Sequence, residues 1–295
     1  MWLLFAILSP ALWAVVHVLD SHCVHKCFDR PWVGVTTSAL ASLAIVPAVP
    51  LLAPLTAWTT PSWGIAAWAF LAGVLIQASQ ALYFQSLARS EAGIVAAYGN
   101  LVPAMLPAVA FVLLGRVFGF LQYMGIAVIV AASIAMCLLD GQLRTRWQSF
   151  LLMLGAAALH VAALLSLDRI YDELPYFEVF LLTVSGIVAC GCAPLVFRRA
   201  RDVFRRNTRR LLSCWRLLVG IEVINLCALA ASHKAVQLGY PSLVEAVEST
   251  IPAFCFGLSV ILCRLAPRFG DTESFQRIGW KLACVACMML GVTLL

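Results

Sequence analysis

Most charged residues in this chain lie at the edges of long apolar runs, and that segregation limits the fold more than any other feature. The runs approach the roughly 20 residues that a helix needs to cross a hydrocarbon layer. Hydrophobic residues make up 63% of the chain and charged residues 12%, with a mean hydropathy of +0.95. A soluble domain is about one-quarter charged, so water cannot solvate this chain on all sides. The runs are continuous rather than alternating, which excludes a barrel of lipid-facing strands about ten residues long. The pattern predicts an all-α integral membrane protein with ten spans. The first five are Trp2–Leu19, Pro31–Leu55, Ile65–Ala88, Gly93–Leu114 and Gly119–Leu139. A polar link, Asp140–Gln148, precedes Ser149–Leu167, Tyr176–Phe197, Cys214–Val236, Tyr240–Cys263 and Phe275–Leu295. The connections are too short for an extramembrane domain. Met1–Leu19 lacks a basic leader and a small-residue cleavage site, so it reads as the first span. Seven of the eleven cysteines lie inside apolar runs, where Cys behaves as a small hydrophobe rather than a disulfide partner.

One stretch occurs twice. Tyr83–Arg116 and Ser232–Arg264 align without a gap when slid by 149 positions, so that Pro103 falls on Pro252 and Ala104 on Ala253. Each copy has an apolar helix end, a polar break, and a longer apolar helix with an internal proline. Leu121–Gly125 and Phe275–Gly279 extend the echo. With five spans per copy, the second enters the bilayer from the opposite side. The expected architecture is two inverted five-helix repeats, 1–139 and 149–295, around a central cavity. Odd-numbered connections hold Lys26, Arg30, Arg89, Arg144, Arg146, the Arg198–Arg210 run, Arg264, Arg268 and Arg277. Even-numbered ones hold Arg116, Arg169 and Lys234. The positive-inside rule then places both termini outside the cytoplasm of a plasma (bacterial inner) membrane. The Arg198–Arg210 loop reads as an orienting element that binds anionic lipid; a nucleic-acid patch is the alternative, and no nucleic-acid partner is expected.

Specific motifs point the same way. Ala11-Leu12-Trp13-Ala14, the stretch ALYFQSLARSEAGIVAA before the fourth span, its proline-bearing middle, and Gly115-Arg116 followed by LQYMGI resemble the EamA family of the drug/metabolite transporter superfamily. The resemblance covers essentially the whole chain through degenerate motifs. It implies ten helices in two inverted repeats and movement of small metabolites across the membrane, with no enzymatic step. Two departures stand out. Family members usually carry Glu-Arg where this chain has Gly115-Arg116, and their termini are usually described as cytoplasmic, against the charge count.

Ionisable groups inside spans are costly and tend to face a pathway or a partner. Glu245 and Glu248 lie three apart on one helix face, with Ser249 beside them and Pro252 one turn on. Their counterparts in the first copy are Ala96, Gly99 and Asn100, so an amide and small residues oppose two acids. Such a pair suits proton coupling or cation binding; the alternative places Glu245 near the span end, in water or against Lys234. Glu222 and Lys281 enter their spans from one side and are expected to form an intramembrane ion pair, or else to touch substrate. Asn225 shares the Glu222 face. His17 and His160 hold comparable places in the two halves, as proton relays or as interhelical hydrogen-bond donors. Gln80, with Gln77, Tyr83 and Tyr98, offers neutral polar contacts, and Trp13 a cavity wall or a cation–π face.

Absences narrow the function further. His22, Cys23, His25 and Cys27 are metal-ligand types, but a second pair at zinc spacing is missing, so a reduced cytoplasmic loop without metal is expected. No Walker-type loop, H-E-x-x-H or G-x-S-x-G occurs. No cofactor is expected, and the protein is read as a non-enzyme. The reading is a secondary-active or facilitative transporter of small polar solutes such as amino acids or amines, monomeric or homodimeric. An intramembrane enzyme or lipid-handling protein using buried Glu and His is the alternative.

Overall fold

A computed structural model of the chain describes residues 1–26, 28, 30–45, 61–87, 89, 95, 98–140, 147–265 and 278–295. Expectations resting on Ala96, Arg144, Arg146, Arg268 or Arg277 lie outside these residues. Every described element is helical. The helices are α1 (Trp2–Lys26), α2 (Pro31–Ile45), α3 (Trp63–Leu87), α4 (Leu101–Leu114), α5 (Phe120–Asp140) and α6 (Trp147–Ile170). They continue with α7 (Tyr176–Cys192), α8 (Arg198–Ser213), α9 (Trp215–Leu238), α10 (Pro241–Glu248), α11 (Ile251–Leu265) and α12 (Ile278–Thr293). A 3₁₀ turn, Ala193–Val196, extends α7. Among the described residues, five apolar stretches are long enough to cross a bilayer: those in α1, α3, α6 and α9, and α7 with its 3₁₀ turn; α2, α4, α5 and α12 hold shorter apolar segments.

Three sequence expectations change. His22–Lys26 is not an unstructured loop but the last turns of α1; the side chains there and Cys27 lie outside the described residues. The Arg198–Arg210 loop is helix α8. Its Val203, Phe204, Asn207 and Leu211 recur at three- and four-residue spacing on the more buried side, while most of its arginines point outward. The expected ninth span is not one helix but two, α10 and α11, broken at Ser249-Thr250.

The break follows from one residue. Pro252 has no N–H, so the carbonyl of Glu248, four positions earlier, loses its helical donor. Hydroxyls compensate nearby: Thr250 Oγ1 donates to the Val247 carbonyl at 2.7 Å and Ser249 Oγ to the Glu245 carbonyl at 3.1 Å. The first copy behaves alike. Pro103 cannot donate to Gly99, and Asn100 forms a turn between helical Tyr98–Gly99 and α4.

Lipid tails are as apolar as leucine, so close backbone approach rather than burial of bulk draws membrane helices together. α3 and α7 meet in this way at Gly73 and Gly186, where an added Cβ would overlap the carbonyls of Thr183 and Phe70. Hydrogen bonds pin neighbouring seams: Thr36 Oγ1 to the Gly191 carbonyl at 2.9 Å, and Tyr176 Oη to the Ala230 carbonyl at 2.6 Å. The packed pairs include α1 with α9, α3 with α6, α3 with α7, α2 with α9, and α5 with α12. Helix α10 touches α1, α4, α5, α6 and α9. Pro241–Val247 are all buried, which makes the shortest helix the central one.

Candidate functional site

The eight-residue α10 brings Glu245 and Glu248 into the middle of the bundle, and three other helices meet them there. From α1, Ser9 Oγ donates to Glu248 Oε1 at 2.7 Å. From α9, Ser232 is a second hydroxyl bonded to Glu248. From α6, His160 Nε2 lies 3.4 Å from Glu245 Oε1. That is an ion-pair distance without hydrogen-bond alignment, and Glu245 Oε1 has no aligned donor among the described residues. Glu245 is only 6% exposed. The short helix ending at Glu248 therefore holds two carboxylates against one imidazole and two hydroxyls, beside the point where the backbone is interrupted.

The structure does not gather all the expected residues here. Ser249 is buried beside the acids, but its hydroxyl serves the Glu245 carbonyl, stabilising the break rather than lining a path. Asn100 is buried at the matching turn before α4, which packs on α10. Lys234 is not the partner of Glu245: it bonds Gln237 at 2.6 Å and sits 5.0 Å over the Tyr176 ring. Gln80 is half-buried on α3, and no described hydrogen bond joins it to the acids. Gln77 instead ties α3 to the Val35 carbonyl of α2. Trp13 and His17, with ring centroids 6.4 Å apart, continue the Ser9 face of α1 at four-residue spacing. Trp13 packs beside Val16 and Ile221, away from the acid cluster along α1.

Glu222 and Lys281 are placed in different seams, so the expected ion pair is replaced by separate solutions. Glu222 accepts from Ser38 Oγ at 2.6 Å, from Ser42 Oγ, and from Asn225 Nδ2 at 3.1 Å. The two serines lie one turn apart on α2, which packs against this part of α9. Lys281, 1% exposed, lies on α12, which packs on α5, with its Nζ 5.7 Å from the Phe256 ring centre. Similar depth in the bilayer did not imply a shared azimuth.

Sequence reasoning missed His233. It is 2% exposed on α9, neither ring nitrogen has a hydrogen-bond partner among the described residues, and its ring stands edge-on to Tyr171 and Phe180 at 6.1 and 5.7 Å. It follows Ser232 and lies within electrostatic range of His160. Ser9, Ser38 and Ser42 were overlooked as well. The available signal was a hydroxyl or imidazole in an otherwise apolar run.

Comparison with known proteins adds to this geometry. A solved structure described as "Crystal structure of protein" superposes with a TM-score of 0.69 over 98% of this chain and 97% of that chain, at 13% identity. At that identity the likeness is one of fold. No curated protein matches. The model of the EamA-like transporter family matches residues 1–138 and suggests a membrane transporter of the drug/metabolite type. Together with the apolar helices this points to an integral membrane protein whose residues 1–138, just under half of the chain, are similar to the EamA-like transporter family.

Proposed function

We propose that the chain is a secondary transporter of small polar or amine-bearing solutes. It works by alternating access between two inverted five-helix repeats, 1–139 and 149–295. The observation that carries this reading is the gathering of Glu245, Glu248 and His160 around an interrupted helix at the centre of the bundle. Interrupted helices at the midplane are where transporters bind substrate and coupling ion. Two carboxylates one turn apart repel when both are ionised, so a proton, a cation or a substrate amine between them is favoured. His160, and His233 beyond it, continue the titratable path, and the serines of α1 and α9 orient Glu248.

The helix pairing supports the repeat. Exchanging the halves turns the α1–α9 contact into α6–α3 and the α3–α7 contact into α9–α2. The α2–α7 and α5–α12 pairs map onto themselves. We place both termini outside the cytoplasm of a bacterial inner membrane, with the arginine face of α8 on anionic lipid and the chain acting as a monomer or homodimer. A reporter fused at Leu295 that works only in the cytoplasm would reverse the orientation.

One observation favours the enzyme alternative: His160 and Glu245, distant in sequence, meet in space. The two readings separate by assay. The transporter reading expects solute accumulation in proteoliposomes driven by a pH gradient, reduced at least about tenfold in Glu248→Gln. Unchanged transport and unchanged pH dependence in that variant would end it. Product formation in detergent, where no gradient exists, would establish the enzyme.

A further inference from the structure

We propose that Arg116, Asp168 and Tyr240 form a gate over one mouth of the pathway, joined rigidly to the acid–histidine cluster by α6 and α10; this rests on the transporter reading above. Helix α4 ends at Gly115, whose φ of +64° is left-handed and favours glycine, and its N–H returns to the Phe111 carbonyl at 2.9 Å. Just beyond this turn, Arg116 Nη1 contacts Asp168 Oδ2 near the end of α6. The same guanidinium lies 4.9 Å from the ring centre of Tyr240, which caps α10. Phe118 stands edge-on to Tyr240 at 5.8 Å and closes the cluster from the α4–α5 connection.

One side chain from the first half thus ties together two helix ends of the second half. All three residues fall at even-numbered connections, which topology places on a single face. The pair is not a freely solvated one: the Asp168 side chain is 8% exposed and that of Arg116 30%. Arg116 is the ion-pair partner of Asp168 among the described residues, and the neighbouring Arg169 adds a weaker electrostatic attraction.

The site and the gate share their supports. His160 and Asp168 are eight residues apart on α6, about 12 Å along the axis. Tyr240 precedes Glu245 and Glu248 by five and eight residues on α10, about 8–12 Å. Over two turns a helix moves as a rod. A shift between α6 and α10 that breaks the His160–Glu245 contact therefore also displaces Asp168 from Tyr240, and the Arg116 clamp resists it. Arg116 is a positioning residue that need not touch the solute.

Hydrogen exchange of the full chain in lipid nanodiscs, without substrate or gradient, tests this. Arg116→Ala is expected to speed exchange of amides 168–174, 240 and 242–244 about tenfold while amides of the α3–α7 seam keep their rates. The charge-exchanged double variant, Arg116→Asp with Asp168→Arg, should restore most of the protection, and Arg116→Lys should fall between. Glu245→Gln, with Arg116 intact, should speed the same two segments. Native rates in Arg116→Ala, or equal acceleration of the α3–α7 seam, would overturn the gate. Acceleration by Arg116→Ala but not by Glu245→Gln would overturn the link to the cluster. These readouts need no transport, so loss of the transporter reading would show separately, in proteoliposomes.

Discussion

Removing the carboxylate of Glu222 should weaken the fold through α2 and leave Lys281 indifferent. Its two oxygens collect three donors, two of them hydroxyls from a neighbouring helix, and the residue is 3% exposed. Interhelical hydrogen bonds in bilayers average about 0.6 kcal/mol and reach about 1.7 kcal/mol. Glu222→Leu breaks two such bonds and strands the buried Ser42 hydroxyl, the half-buried Ser38 hydroxyl and the Asn225 amide, for an expected loss of about 1–3 kcal/mol. The assay is reversible unfolding in mixed micelles titrated with a denaturing detergent, read as a double-mutant cycle. Glu222→Gln combined with Ser42→Ala should show a coupling of about 0.5–1.5 kcal/mol, because the two groups share a bond. Glu222→Gln combined with Lys281→Met should be additive within about 0.5 kcal/mol. The reverse order of couplings would refute the reasoning and reinstate the ion pair expected from sequence.

The α3–α7 seam makes a sharper steric prediction. Gly186→Ala would drive a methyl into the Phe70 carbonyl, costing about 1–3 kcal/mol by backbone displacement. Gly220→Ala, on α9 with nothing within 4 Å, should be neutral or gain up to about 1 kcal/mol in the same unfolding titration. Tyr176→Phe loses the 2.6 Å bond to the Ala230 carbonyl between α7 and α9, with an expected cost of about 1 kcal/mol. Replacing Arg198, Arg201, Arg205 and Arg209 of α8 by Gln should lower binding of an α8 peptide to anionic vesicles by about 1 kcal/mol per residue, while neutral vesicles show no difference.

What the amino-acid order determined by itself is the solvent and the set of rods. Runs such as those within α6 and α9 are apolar over more than a bilayer's thickness, and no packing can make water a tolerable medium for them. The paired prolines were legible for a similar reason. A missing N–H acts on a carbonyl four residues away, so the interruptions before Pro103 and Pro252 are local events. The acids Glu245 and Glu248 stood out because any charge in such a run is costly. Their partners did not stand out, since Ser9, Ser232, His160 and His233 come from three other helices. A helix read alone shows how deep a residue lies but not which neighbour it will face. That azimuth is set by where glycines allow two backbones to touch, as at Gly73 and Gly186. It is why Glu222 meets the serines of α2 and Lys281 meets Phe256, and why an arginine just past one helix end closes on an aspartate 52 positions later.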